Sequence, residues 1–214
     1  MAKELDKCRL CRRAGVKLYL KGERCFTPKC AIVKRNYPPG AQGTKKGFRQ
    51  RLTPYGVQLR EKQKARFYYG ISESQFRNYF EKASSKTGNT SELFLTLLEQ
   101  RLDSIVYRLG LAWSRKDARQ LVGHGLILVN GKKVTIPSYQ VRVGDVISVK
   151  PSAAANKHFS EILPNLEKHT PPEWLTTEKS DGNVQGKVVS VPSKPGDLSA
   201  IFDMKPIIEF YSRQ

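Results

Sequence analysis

The most restrictive stretch of the sequence is residues 91–150, where two helical patterns run directly into short strands punctuated by glycine. SELFLTLLEQRLDSIVYRLGL sets Leu93, Phe94, Leu97, Leu98, Leu102, Ile105, Val106 and Leu109 at helical spacing, so one stripe of one helix should be buried. Asn89 with Glu92 supplies a capping box, and Gly110 the stop. At about 100° per residue, Glu92, Glu99 and Asp103 fall on the opposite side, toward solvent. Arg101 and Arg108 fall inside the apolar stripe instead. A guanidinium there needs an anion, either a carboxylate of the fold or a phosphate outside it.

Ser114 and Asp117 mark the start of a second, short helix with Ala118, Leu121 and Val122 as its narrow apolar edge. Arg115, Lys116, Arg119 and Gln120 share the other side, and Gly123 and Gly125 end the helix around His124. A face so cationic repels itself, which suits neutralisation by phosphates; a merely solvated face is the plainer alternative. On the phosphate reading, replacing Arg115 and Arg119 with Ala weakens binding and leaves thermal unfolding nearly unchanged. Asn130-Gly131 then separates Ile127-Leu128-Val129 from Lys132-Lys133-Val134, a strong hairpin signal because both turn residues accept positive φ. The turn carries Lys132 and Lys133 to the basic helix. Asn130 and His124 join them as candidate contacts, although a histidine at a helix end is more often structural. Val141, Val143, Val146, Ile147 and Val149, turned at Gly144-Asp145, complete the strands.

RLDSIVYRLGLAWSRKDARQLVGHGLILVNGKKV closely resembles the αL-type RNA-binding motif named after the fourth protein of the small ribosomal subunit (S-four), and YQVRVGDVISV resembles its closing strands. The likeness extends over nearly the whole chain, in the form of the family that carries four N-terminal cysteines, and is loosest over residues 170–197. It implies an α+β fold. A mainly helical N-terminal domain would carry a four-Cys metal knuckle, and an inserted αL-type RNA-binding domain would bring a small β-sheet. The corresponding boundaries are 1–48 for knuckle and basic arm, 49–90 plus 198–214 for the helical domain, and 91–197 for the inserted domain, with the motif at about 99–150.

Charge points the same way. The chain has 38 Lys and Arg against 19 Asp and Glu. Residues 1–70 hold 19 basic and 4 acidic side chains, so the excess is concentrated at the front and a polyanion is the expected partner there. No apolar run approaches the roughly 20 residues that span a bilayer, and MAKELDKCRL lacks the apolar core of a signal peptide, so a cytoplasmic or organellar location is expected and no membrane role.

Cys8, Cys11, Cys25 and Cys30 are the entire cysteine content, spaced C-x2-C-x13-C-x4-C. Four thiolates so paired can close a tetrahedral zinc site and order a segment too small for its own core. An iron–sulfur cluster is the alternative, since spacing does not choose the metal, and two disulfides suit a reducing compartment least. Arg9, Arg12 and Arg13 surround the cysteines and would face RNA. Residues 31–56 mix Pro38-Pro39-Gly40 and Gly43 with Lys34, Arg35, Lys45, Lys46, Arg49 and Arg51, and with no acid. No helix is expected through them. Either they are a flexible linker or, with Tyr37, Phe48 and Tyr55 interleaved, an arm that stacks on bases and follows phosphates. Basic and aromatic helices should follow over 57–69 and 72–86, another over 153–169 with a kink at Pro164. The apolar residues of 201–211 should dock back on the earlier helices.

The function this supports is structural: direct binding of small-subunit ribosomal RNA by phosphate and shape contacts. From the resemblance alone come a part in nucleating the subunit body and an influence on translational accuracy. It also implies contact with neighbouring proteins, especially the fifth, and closeness to the path by which messenger RNA enters. An RNA-modifying enzyme carrying the same motif, or a zinc-dependent DNA-binding regulator, are the rivals. Against an enzyme, no Gly-rich phosphate loop and no Ser/His/Asp or His/Glu set occurs at usable spacing, and nothing points to a small-molecule substrate.

Overall fold

The structure, a computed structural model, describes residues 6–40, 43, 52–154, 156–162, 164, 166, 169–180, 183–192 and 196–213. The fold is α+β. The chain divides into two compact units, one made of Met1–Ser91 with Pro195–Gln214 and the other of Glu92–Lys194.

The first unit begins with α1 (Lys7–Ala14), which ends at Gly15 with φ +76°. One helical turn, α2 (Ala31–Lys34), follows the cysteines. Helix α3 (Pro54–Tyr69) starts a turn earlier than the apolar pattern indicates. Thr53 caps it by accepting the Gly56 N–H at 3.2 Å, and Pro54 takes a first-turn position where no N–H is needed. Helix therefore enters the 31–56 stretch at both ends, and none runs through its described residues. Helix α4 (Glu73–Ser84) is capped by Ser72, whose hydroxyl accepts the Gln75 N–H. Helix α10 (Met204–Ser212) packs along α3 and supplies aromatic neighbours, with Tyr211 stacked on Phe80 at 4.8 Å between ring centroids. Lys62, buried, donates to Glu73 at 2.6 Å, and the Tyr211 hydroxyl donates to the same oxygen at 2.8 Å. That carboxylate ties α3, α4 and α10 together.

In the second unit the single helix expected over 91–109 is two. Helix α5 (Thr90–Glu99) stops, Arg101 adopts extended backbone, and α6 (Leu102–Arg108) begins. The break is stabilised from outside the helices, because Val141 donates its N–H to Gln100 O at 2.9 Å and Leu102 donates to Tyr139 O at 2.9 Å. Helix α7 (Arg115–Gly123) packs on α6. Its Ser114 cap accepts the Asp117 N–H, while the Asp117 carboxylate reaches back to the Trp113 N–H at 2.9 Å.

Five antiparallel strands follow in the order β2-β1-β3-β5-β4: β1 (Ile127–Val129), β2 (Lys132–Lys133), β3 (Val146–Val149), β4 (Leu175–Ser180) and β5 (Asn183–Val188). Around Val141 there is no strand, only a bridge between Arg101 and Gln140. The β4–β5 hairpin is the main addition, in the stretch where the family likeness is loosest. LTTEKS shows little apolar alternation, and its pairing to β5 supplies the order that its own side chains do not. Gly186 of β5 makes that docking fit. A Cβ there would stand 2.4 Å from a Leu109 methyl in the core. The helix expected over 153–169 is also broken, into α8 (Pro151–Ala154) and α9 (Lys157–Ile162).

Candidate nucleic-acid interface

The second unit brings α7 and the β1–β2 hairpin to one surface. Asn130 and Gly131 have φ of +50° and +75°, as a two-residue hairpin turn requires. Gly125, at φ +69°, ends α7 and lets the aliphatic stem of Lys133 lie across it, because a Cβ would be only 2.0 Å from Lys133 Cε. The result is a display of Lys116, Gln120, His124, Lys132 and Lys133, all exposed. Asn130 is exposed but committed: its amide donates to Asp145 at 2.8 Å, and its oxygen accepts the Val146 N–H at 2.9 Å. Its side chain latches the hairpin to the 144–145 turn and does not offer a free amide to a ligand.

The arginines are a larger correction. Arg101 is 1% exposed and holds Asp103 through two hydrogen bonds at 2.9 and 2.7 Å. Arg119 donates to the same carboxylate at 3.1 and 2.8 Å. Arg108 grips Glu99 in the same two-pronged way, at 2.9 and 3.0 Å. Arg115 is buried, 3.5 Å from Glu99, with its guanidinium 4.5 Å over the Tyr107 ring. Glu99 and Asp103, read from the sequence as solvent-facing, are both 2% exposed. The helix break at Arg101 rotates them inward, and each then neutralises a pair of arginines. Arg101 and Arg115 are thus buried ion-pair residues, and Arg108 and Arg119 are held by carboxylates. The expectation that Arg115 and Arg119 could be removed without affecting unfolding falls with them. Two acids and two arginines within one helical stretch were the signal that could have exposed this; a continuous helical wheel concealed it.

In the first unit Arg9, Arg13, Lys34 and Arg35 are exposed. Arg12 is not spare. It donates to the Tyr37 and Pro38 carbonyls at 3.0 and 3.3 Å and lies 4.7 Å over the Tyr37 ring. One face of Tyr37 is therefore covered by protein and only the other can stack on a base. Lys45, Lys46, Arg49, Arg51 and Phe48 lie outside the described residues.

The four cysteines are free thiols around one small cavity of about 20 Å³. Cys11, Cys25 and Cys30 are buried. Burial raises the Cys11 pKa to about 11, against a bond from the Leu18 backbone that lowers it, and the three other sulfurs add to the rise. Burial also raises Cys25, whose sulfur accepts the Lys21 N–H at 3.4 Å. Among the described residues, no three His, Cys, Asp or Glu side chains stand in an arrangement that could hold a metal ion. The chemistry of the set nonetheless fits a soft cation: four sulfurs line one cavity, and the two that burial raises, Cys11 and Cys25, accept backbone N–H groups.

Among the described residues no helix is long and apolar enough to cross a membrane. Residues 4–99 match the family described as Ribosomal protein S4/S9 N-terminal domain, and residues 100–147 match the S4 domain. The chain is 54% identical over 206 residues to the small ribosomal subunit protein uS4 of Halothermothrix orenii, covering 96% of both chains. It is 52% identical to uS4A of Alkaliphilus metalliredigens over the full length of both, and 50% identical to uS4 of Syntrophomonas wolfei over 96% of both. With two family matches in tandem and relatives aligned from end to end, the chain belongs to the uS4 family of small ribosomal subunit proteins.

Proposed function

We propose that the protein is a structural component of the small ribosomal subunit that binds the subunit's ribosomal RNA directly and catalyses nothing. The observation that carries this is the exposed cationic display on α7 and the β1–β2 hairpin, in a chain that aligns end to end with proteins named small ribosomal subunit protein uS4. Lys116, Lys132 and Lys133 would follow phosphates, and His124 and Gln120 would reach sugar or base edges between them. Contacts of this kind hold RNA helices in a fixed relation, which supports a role in nucleating the body of the subunit and an influence on translational accuracy. Neighbouring small-subunit proteins, the fifth above all, and messenger RNA near its way in are the further partners. The site of action is the cytoplasmic ribosome. The test is filter binding to small-subunit ribosomal RNA across a salt series: affinity should fall steeply as salt rises, and equal affinity for duplex DNA of the same length would overturn the reading.

Cys8, Cys11, Cys25 and Cys30 would together hold zinc, which supplies no reaction but a fixed charge that orders the segment between α1 and α2. Metal uptake should release protons, because burial keeps at least Cys11 and Cys25 protonated without it. Titrating metal-stripped protein with zinc should protect all four thiols from alkylation; protection of none would remove the metal from this account.

A further inference from the structure

Beyond the hairpin display, the first unit contains a groove of about 300 Å³ between α1 and α3, the size at which small-molecule pockets begin. Leu10, Ala14, Leu59 and Phe67 give it apolar walls, and the guanidinium-bearing Arg13 and Arg60 stand exposed at its rim. Lys64 also borders it, but its ammonium is held by Glu61 at 2.6 Å. Gln63 is also among the lining residues, and its side-chain oxygen is buried without a hydrogen-bond partner. A buried amide oxygen left in that state costs stability of order 1–3 kcal/mol unless a ligand satisfies it.

We infer that this groove is a nucleotide pocket, taking one unstacked base of the bound ribosomal RNA between α1 and α3 with its phosphates on Arg13 and Arg60. The inference rests on the RNA-binding reading above. Two features select this occupant over an apolar protein side chain. A flat heterocycle uses apolar walls and also has edge groups for the Gln63 amide, which can present oxygen or nitrogen by a simple flip. An apolar side chain would leave that amide buried and unsatisfied. The rim cations demand anions, and every nucleotide brings one. An aromatic side chain brings none.

The experiment is base-specific chemical probing of a full-length small-subunit ribosomal RNA transcript, free and bound to the full chain. Wild-type, Leu59→Trp and Gln63→Leu proteins are compared, each first checked by thermal melting. Leu59→Trp fills the groove, whereas Gln63→Leu keeps its volume and removes the edge contact, so the second remains decisive if the first does not fold. Wild-type protein should protect the base of one unpaired nucleotide. Either variant should return that base to roughly its reactivity in free RNA while the rest of the footprint persists, with an affinity loss of about fivefold or more, as for removal of one stacked base. An intact footprint with no unpaired base that responds to the variants overturns the pocket alone. A wild-type protein that leaves no footprint anywhere overturns the RNA-binding reading beneath it.

Discussion

The two cationic regions of this protein are alike in composition and unlike in use. Around α7, Arg101, Arg108, Arg115 and Arg119 all stand beside Glu99 or Asp103, two carboxylates withdrawn from water. On α1 and α2 and just beyond, Arg9, Arg13, Lys34 and Arg35 are exposed, in a segment of 70 residues that has 4 acids for its 19 bases. The decisive difference is the local supply of acid. A guanidinium next to a buried carboxylate is captured by it, since attraction strengthens as water leaves, whereas a cation with no acid nearby waits for a ligand. Counting positive charges therefore overstates ligand contacts most around α7, and in the first unit at positions such as Arg12, Lys62 and Lys64, which have partners of their own.

The sharpest way to break this contrast is Asp103→Ala, which removes the acceptor shared by Arg101 and Arg119. It should cost about 3–5 kcal/mol in denaturant unfolding, as expected when one partner of a buried pair is deleted. An unchanged midpoint would show that the pairs are incidental. The double replacement of Arg115 and Arg119 by Ala should also lower stability, by roughly 1–3 kcal/mol, because it leaves Glu99 and Asp103 buried with fewer donors.

Lysine and arginine sets at the surface should behave in the opposite manner. Exchanging Arg9, Lys34 and Arg35 for Gln, or Lys116, Lys132 and Lys133 for Gln, should leave the melting curve in place. Each set should reduce the slope of log affinity against log salt by roughly 3, one for each phosphate no longer neutralised. A set that changed stability and left the slope alone would have been assigned to the wrong class.

The smallest effect concerns Glu73, the acid that joins α3, α4 and α10. Burial works to raise its pKa, but the hydrogen bonds from Lys62 and Tyr211 and the charges of Lys62 and Arg66 outweigh burial and leave it lowered. A carboxyl lowered by folding stabilises fully above its ordinary pKa, and that contribution is lost as pH falls through the folded value. Hydrogen-exchange protection of α10 should thus decline below about pH 4, the ordinary carboxylate range. Glu73→Gln should remove that dependence, and a decline that persisted in the variant would assign it to other acids.

Much of the fold was legible because it depends on neighbours in sequence. Ser72, Ser114, Gly110 and the Asn130-Gly131 turn act within a few residues of themselves, and each does what its local chemistry demands. The elements that were missed depend on distant partners. The β4–β5 hairpin is anchored through β5 to β3, far earlier in the chain, and the break at Arg101 is held by backbone groups of Tyr139 and Val141. The site divides in the same way: Lys132 and Lys133 were readable from the hairpin, but whether an arginine faces a phosphate or a carboxylate depends on the break at Arg101.

By itself the sequence determined the α+β class, the RNA-binding motif, the cysteine cluster at the front and the family to which the chain belongs. Only tertiary structure decided which cations are spent inside the protein and which remain for a partner. The physical reason is that charge is written residue by residue, whereas its availability depends on which carboxylates folding removes from water and how near it brings them.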